Sequence, residues 1–317
     1  MPDDMPTPKK KKIPQTVIDI IIALAIVASI FLAMYAYTGT WPPLVVVESR
    51  SMQHSDSVSE IGVMDTGDLV LVKKINNASE IKTYYEGRLN GYATYGDFGD
   101  VIIYLRGGST QFTPIIHRAV IYLQANADGN SFRAADLSNM QGIEYDFDNN
   151  SNTWYQINSD IILHSYGYDN QDLRIPIGQM IDEMKGHGIQ LHDGFITKGD
   201  FNQQVDQLLG VSITREPIRV DWVLGVAVGE IPWFGIIKLW LTGDLPADTP
   251  ANSIGALEIC IIVIIAIPVS LEVFLWWRDK KKQAPTDEKK TENSSEQKEG
   301  PPTVTPKIES EPGKKMN

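Results

Sequence analysis

The stretch PIIHRAVIYLQ, Pro114–Gln124, sets one histidine inside a run of apolar and β-branched residues opened by proline. Runs of this kind, bounded by Gly, Pro or Asp, read as strands. Three others share the pattern: PLVVVES (Pro43–Ser49), DLVLVKK (Asp68–Lys74) and DVIIYLR (Asp100–Arg106), set off by DTGD, DFGD and RGGST. Their apolar residues are continuous rather than alternating, which predicts strands buried on both faces. The spacing of strands and turns predicts a twisted, mostly antiparallel sheet, so the fold class is mainly β.

Two segments lie outside any soluble core. Val17–Tyr37 and Ile254–Trp277 are nearly unbroken apolar runs, each long enough as a helix to cross a ~30 Å hydrocarbon layer. Lys9–Lys12 precede the first and Arg278–Lys282 follow the second. The positive-inside rule then predicts both termini cytoplasmic, residues 1–16 and 278–317, with the segment between the runs outside the cell membrane. The first run exceeds a signal-peptide core in length and no A-x-A-like site follows it, so it reads as an anchor. The tail from Gln283 and the first twelve residues are polar and charged, and disorder is expected there.

The outer segment carries 14 Lys/Arg against 27 Asp/Glu, an excess of 13 acids that accounts for all of the chain's net charge of −12. That balance excludes nucleic acid as partner. The single cysteine, Cys260, lies in the second run, so the outer segment must be held by its core alone. Residues 38–124 and 193–253 carry the strand signals. Residues 125–192 are rich in Asn, Asp and Ser and read as a hairpin-rich insertion, expected as a small subdomain. Within the second part, Ile231–Leu241 bears Trp233, Phe234 and Trp240. It reads either as a membrane-interface segment or as a core-packed helix.

Candidate chemistry begins at VVVESRSMQHSD (Val45–Asp56), where Ser49 and Ser51 follow a strand only 14 residues after Tyr37. Fully extended, that path spans at most ~50 Å, so Ser51 stays near the outer leaflet. A serine hydroxyl needs a base. His54 shares its loop; His164, His187 and His192 sit in or beside the polar insertion. His117 lies inside an apolar strand, where it reads as a hydrogen-bonded core residue or as a base. Lys73 and Lys74 end a strand and offer a Ser/Lys alternative, though a solvated strand terminus fits them better. The histidines show no metal-ligand spacing.

Five boxes in order, SRSM (Ser49–Met52), DTGDLVLVKK (Asp65–Lys74), GDVIIYL (Gly99–Leu105), IIHRAV (Ile115–Val120) and ITKGDFNQQVD (Ile196–Asp206), resemble type I signal peptidase. The wording is that of the archaeal and endoplasmic-reticulum branch, in which histidine replaces a lysine base. The resemblance implies a serine endopeptidase that removes signal peptides from secretory preproteins. It implies Ser51 as nucleophile, His117 as general base and Asp206 as the acid orienting it. Asp200 is implied as a supporting acid, with Ser49 and the Ser51 backbone serving the oxyanion. No cofactor and no metal are implied; the partners are signal peptides, the lipid bilayer and the export translocon as a candidate. Free imidazole titrates near ~6.5, so a histidine base works near neutrality.

Three positions depart from the family pattern: Arg50 where glycine is usual, His54 where proline is common, and Phe201 in place of the first Asn of KGDNN. Arg50 bears directly on the oxyanion role of Ser49. A catalytically silent, membrane-anchored β-domain that binds surface partners is the alternative function. Ser51, His117 and Asp206 together discriminate the two.

Overall fold

In the computed structural model, the described residues are 14–140, 144–149, 151–208 and 213–282. The chain divides into two compact units, one up to Ile264 and one from Ile265. Helix α1 (Gln15–Thr38) contains the first apolar run and stops where Gly39 turns left-handed, φ 68°, returning its N–H to Tyr35 O. Strands β1 (Leu44–Val46) and β2 (Leu69–Lys73) follow. Next come helix α2 (Tyr84–Asn90), the short strands β3 (Ala93–Thr94) and β4 (Asp97–Phe98), then β5 (Val101–Tyr104) and β6 (Ile115–Ala125). The insertion contributes β7 (Phe132–Arg133), β8 (Tyr145–Phe147), β9 (Ile161–Tyr166), β10 (Gln171–Ile175) and helix α3 (Ile177–Gly186). Strands β11 (Gly194–Lys198) and β12 (Val223–Ile231) and helices α4 (Gly235–Thr242) and α5 (Ala251–Lys282) complete it.

The main sheet runs β1-β2-β12-β5-β6-β11, with β7 beside the far end of β6. Every strand pair among the described residues is antiparallel. The continuous apolar runs predict burial on both faces, and β5 and β11 are buried throughout. Strand β2 differs: Val70 and Val72 are buried while Leu69, Leu71 and Lys73 are not, so only one of its faces is covered.

The polar insertion does not close a core of its own. Its Phe132, Leu137, Ile161, Leu163 and Ile175 pack with Tyr84 and Tyr85 of α2, Val120 and Ile121 of β6, and Ile196 of β11. It also holds a helix within the segment that reads as hairpin-rich. Ile177, Met180, Ile181 and Met184 of α3 are its buried residues, and the i, i+3, i+4, i+7 spacing puts them on one helical face. Strands β8, β9 and β10 form a separate small sheet in the order β10-β9-β8.

The segment 231–241 is divided between two elements: Ile231 ends β12, and α4 starts after a turn at Trp233, φ 67°. On α4, Gly235, Ile236 and Leu239 are buried, whereas Trp240 and Leu241 are 71% and 73% exposed. One face of α4 is therefore packed in the core, and Trp240 and Leu241 stand exposed on the rest of it. Helices α1 and α5, with 24 and 32 residues, are both long and apolar enough to cross a membrane. Helix α5 continues through Arg278 to Lys282, beyond the apolar run that ends at Trp277. The disorder expected for the first twelve residues and from Gln283 lies outside the described residues.

Candidate active site

Strand β6 decides the site, because neighbouring residues on a strand point to opposite faces. His117 lies opposite Ile102 and Arg118 opposite Val101 of β5. Both are buried, at 3% and 0% exposure, and each takes a different acid from the segment after β11. An extra residue on β6 opposite the Ile196–Thr197 step breaks the register with β11 at this point. Such bulges bend a strand locally and re-aim its side chains.

His117 Nδ1 lies 2.6 Å from Asp206 Oδ2. The same oxygen accepts the Tyr104 hydroxyl at 2.7 Å and the Thr197 hydroxyl at 2.6 Å. Burial, reinforced by the Asp206 charge, pushes the Tyr104 phenol well above its ordinary pKa, so it remains a donor. With the carboxylate accepting, Nδ1 carries the proton and Nε2 keeps a lone pair. Asp206 is itself held by its N–H to Thr197 O at 2.9 Å, and its carbonyl accepts Ile213 N–H at 3.0 Å.

Arg118 and Asp200 form the other pair. The guanidinium is bidentate, Nε to Oδ1 at 2.8 Å and Nη2 to Oδ2 at 2.6 Å. Its Nη1 also donates to the carbonyls of Thr94, Asp97, Phe98 and Gly99 at 3.0–3.2 Å. Burial alone would raise the Asp200 pKa; the Arg118 charge and hydrogen bonds, then those of His54, hold it well below the usual range. His54 Nε2 donates to Asp200 Oδ2 at 3.0 Å. Asp200 thus fixes β6, the β3–β4 turn and the serine loop in one place. It does not contact His117.

Ser51 lies in a single 3-10 turn, Arg50–Met52, after the extended Ser49. Its carbonyl accepts the Phe201 N–H at 2.9 Å, and its hydroxyl is 3.1 Å from the Ser49 hydroxyl. Ser49, Ser51, His117 and Asn202 line one cleft of about 320 Å³, walled by Val46, Ile115, Ile116 and Ile213. The Ser51 hydroxyl bonds Ser49 rather than the imidazole. Arg50, His54 and Phe201 are all engaged: Arg50 lies over the Phe201 ring at 4.1 Å, and His54 is a partner of Asp200.

Lys73 and Lys74 are not brought to Ser51. The register pairs Val46, at the serine end of β1, with Leu69; Lys73 closes the opposite end of β2, its ammonium 5.3 Å from the Tyr37 ring centroid. His164, His187 and His192 bond Asp146, Glu183 O and Glu216 respectively and do not line the cleft. Among the described residues no cluster of His, Cys, Asp or Glu could hold a metal.

Sequence reasoning missed Arg118, Tyr104, Thr197, Lys198 and Gly199. Arg118 was findable, since an arginine inside an apolar strand requires a buried acid. Lys198 is buried with its pKa lowered by that burial, and donates to the carbonyls of Gly199 and Asp200 at 3.2 and 3.0 Å. Gly199 is required for close approach: a β-carbon there would lie 2.6 Å from Ser51 O and 2.8 Å from His117 Nε2. Gly199→Ala should therefore separate serine and imidazole and lower kcat by about 10²-fold. Wild-type turnover in that variant would show the contact to be slack.

A scan of protein-family models and a search of curated proteins find no match to the chain.

Proposed function

We propose that the chain is a membrane-bound serine endopeptidase of the signal-peptidase type, cleaving signal peptides from exported preproteins. The observation that carries this is the His117–Asp206 bond, which engages Nδ1 and leaves Nε2 free of that partner beside a cleft shared with Ser51. In this reading Ser51 Oγ attacks the scissile carbonyl while His117 Nε2 takes its proton. The imidazolium then protonates the departing amine, and a water deprotonated by the same nitrogen hydrolyses the acyl-enzyme. Asp206 keeps the tautomer and stabilises the imidazolium. The Ser51 backbone N–H and the Ser49 hydroxyl serve the oxyanion. The serine–histidine hydrogen bond forms with substrate present, since such bonds are often long in empty sites.

Two free strand edges support a peptide substrate. Among the described residues, β1 ends the sheet and pairs only with β2, while β11 begins its pairing with β6 at Arg118, leaving the other edge of Ile115–His117 without a strand partner. Both edges line the cleft, so an extended peptide can add as a strand. The apolar lengths of α1 and α5 suit membrane spans with the catalytic unit outside, where a preprotein's signal peptide emerges. The full chain in lipid vesicles should cut a preprotein at one bond beyond its apolar segment. Intact preprotein, or scattered cleavage, would contradict the reading.

A further inference from the structure

Beyond its contribution to the core, the insertion reaches the nucleophile loop at one point. Tyr168 lies in the turn between β9 and β10, and its ring stacks on His54 with centroids 3.9 Å apart and planes 11° apart. The turn is closed by Asn170 N–H to Gly167 O at 3.1 Å, and the Gly167 N–H donates to the Tyr84 hydroxyl of α2 at 3.0 Å. Asn170 has φ 53°, a left-handed position that asparagine tolerates. The His54 ring also abuts Gly96, where a β-carbon would come within 2.8 Å of Cε1. His54 is therefore held by a stacked ring, by the backbone at Gly96 and by Asp200. It stands three residues after Ser51.

Other anchors of this loop come from elsewhere: the Ser51 carbonyl on Phe201 N–H and Arg50 on the Phe201 ring from the turn after β11, the Thr66 hydroxyl donating to Gln53 Oε1 at 2.6 Å, Arg50 beside Asp248 at 3.8 Å, and Met52 buried in the core. Among the described residues of the insertion, Tyr168 is the one that stacks on this loop. We infer that Tyr168 is a positioning residue: by clamping His54 onto Asp200 it fixes the loop carrying Ser51, making the 125–192 insertion a working part of the site. This rests on the reading of Ser51 as nucleophile. A clamp of this kind acts on orientation and not on substrate affinity. Its loss therefore falls on kcat.

The test compares Tyr168→Ala, Tyr168→Phe, His54→Ala and the Tyr168→Ala/His54→Ala pair in the full chain. Preprotein turnover is measured beside amide hydrogen exchange across residues 50–56. Tyr168→Ala should lower kcat about tenfold with KM little changed and speed exchange in that window. Tyr168→Phe, which keeps the ring, should match the wild type, and the double variant should be no worse than His54→Ala. Wild-type kcat or exchange in Tyr168→Ala, equal defects in the Phe and Ala variants, or additive losses would overturn the clamp. A wild type without Ser51-dependent cleavage would instead overturn the peptidase reading, and exchange alone would then decide whether Tyr168 holds the loop.

Discussion

His117→Ala is expected to lose preprotein cleavage by about 10⁴-fold or more in kcat, because the members of a catalytic unit act together. Asp206→Asn should cost a comparable amount. An amide can donate to Nδ1 and favour the tautomer that leaves Nε2 protonated and useless as a base. His117→Lys should not rescue activity. Its site is buried, but Asp206 Oδ2, 2.6 Å from the present ring, would keep an ammonium protonated, since a close opposite charge favours the charged form. Substantial turnover in His117→Ala, with loss in Lys73→Ala or Lys74→Ala, would make His117 a core histidine.

The largest stability effect is expected at Arg118. Arg118→Met removes the counter-charge of a buried carboxylate, and breaking such a pair costs about 3–5 kcal/mol. The pH dependence should change sign as well. In the wild type the Asp200 pKa is depressed below its unfolded value. The pair therefore contributes stability above about pH 4, where an unfolded aspartate is ionised, and loses it as pH falls through the folded pKa. In Arg118→Met burial acts largely unopposed and raises that pKa. Ionisation then opposes folding, and stability declines as pH rises through the new value. Denaturant unfolding of the detergent-solubilised protein at several pH values measures both. Equal stability at pH 7, with an unaltered pH slope, would show that Arg118 and Asp200 are not coupled.

Both carboxylate pairs start from residues that stand out in the sequence, and they were legible to different degrees. His117 is conspicuous as one imidazole in an apolar strand, and the order of boxes named Asp206 before any geometry was available. Which acid Arg118 takes was not legible, although the resemblance already set Asp206 toward His117 with Asp200 in support. That choice depends on His117 and Arg118 facing opposite sides of β6 while Asp200 and Asp206 reach those sides from one segment, a long-range fact about register.

Local signals were legible wherever composition agreed with them. β1, β2 and β5 fall within runs marked by β-branched residues and turn punctuation, β6 overruns its own by Ala125 alone, and helices α1 and α5 contain the two apolar runs. Helix α3 was obscured because its apolar face is only four residues inside a polar segment. Helix α2 carried an unread signature: Thr83 and Glu86 form a capping box. The Tyr168–His54 stack joins residues 114 positions apart, a pairing that no local pattern encodes.

Cleavage by the full chain and by Ser51→Ala, side by side in lipid vesicles on the same preprotein, tests the central claim most directly. Mass spectrometry of the product termini supplies the measurement. The account predicts one new N-terminus beyond the apolar segment with the wild type and none with Ser51→Ala. That variant should unfold like the wild type, since only an exposed hydroxyl hydrogen bond to Ser49 is lost. The same terminus produced at a similar rate by Ser51→Ala would contradict it.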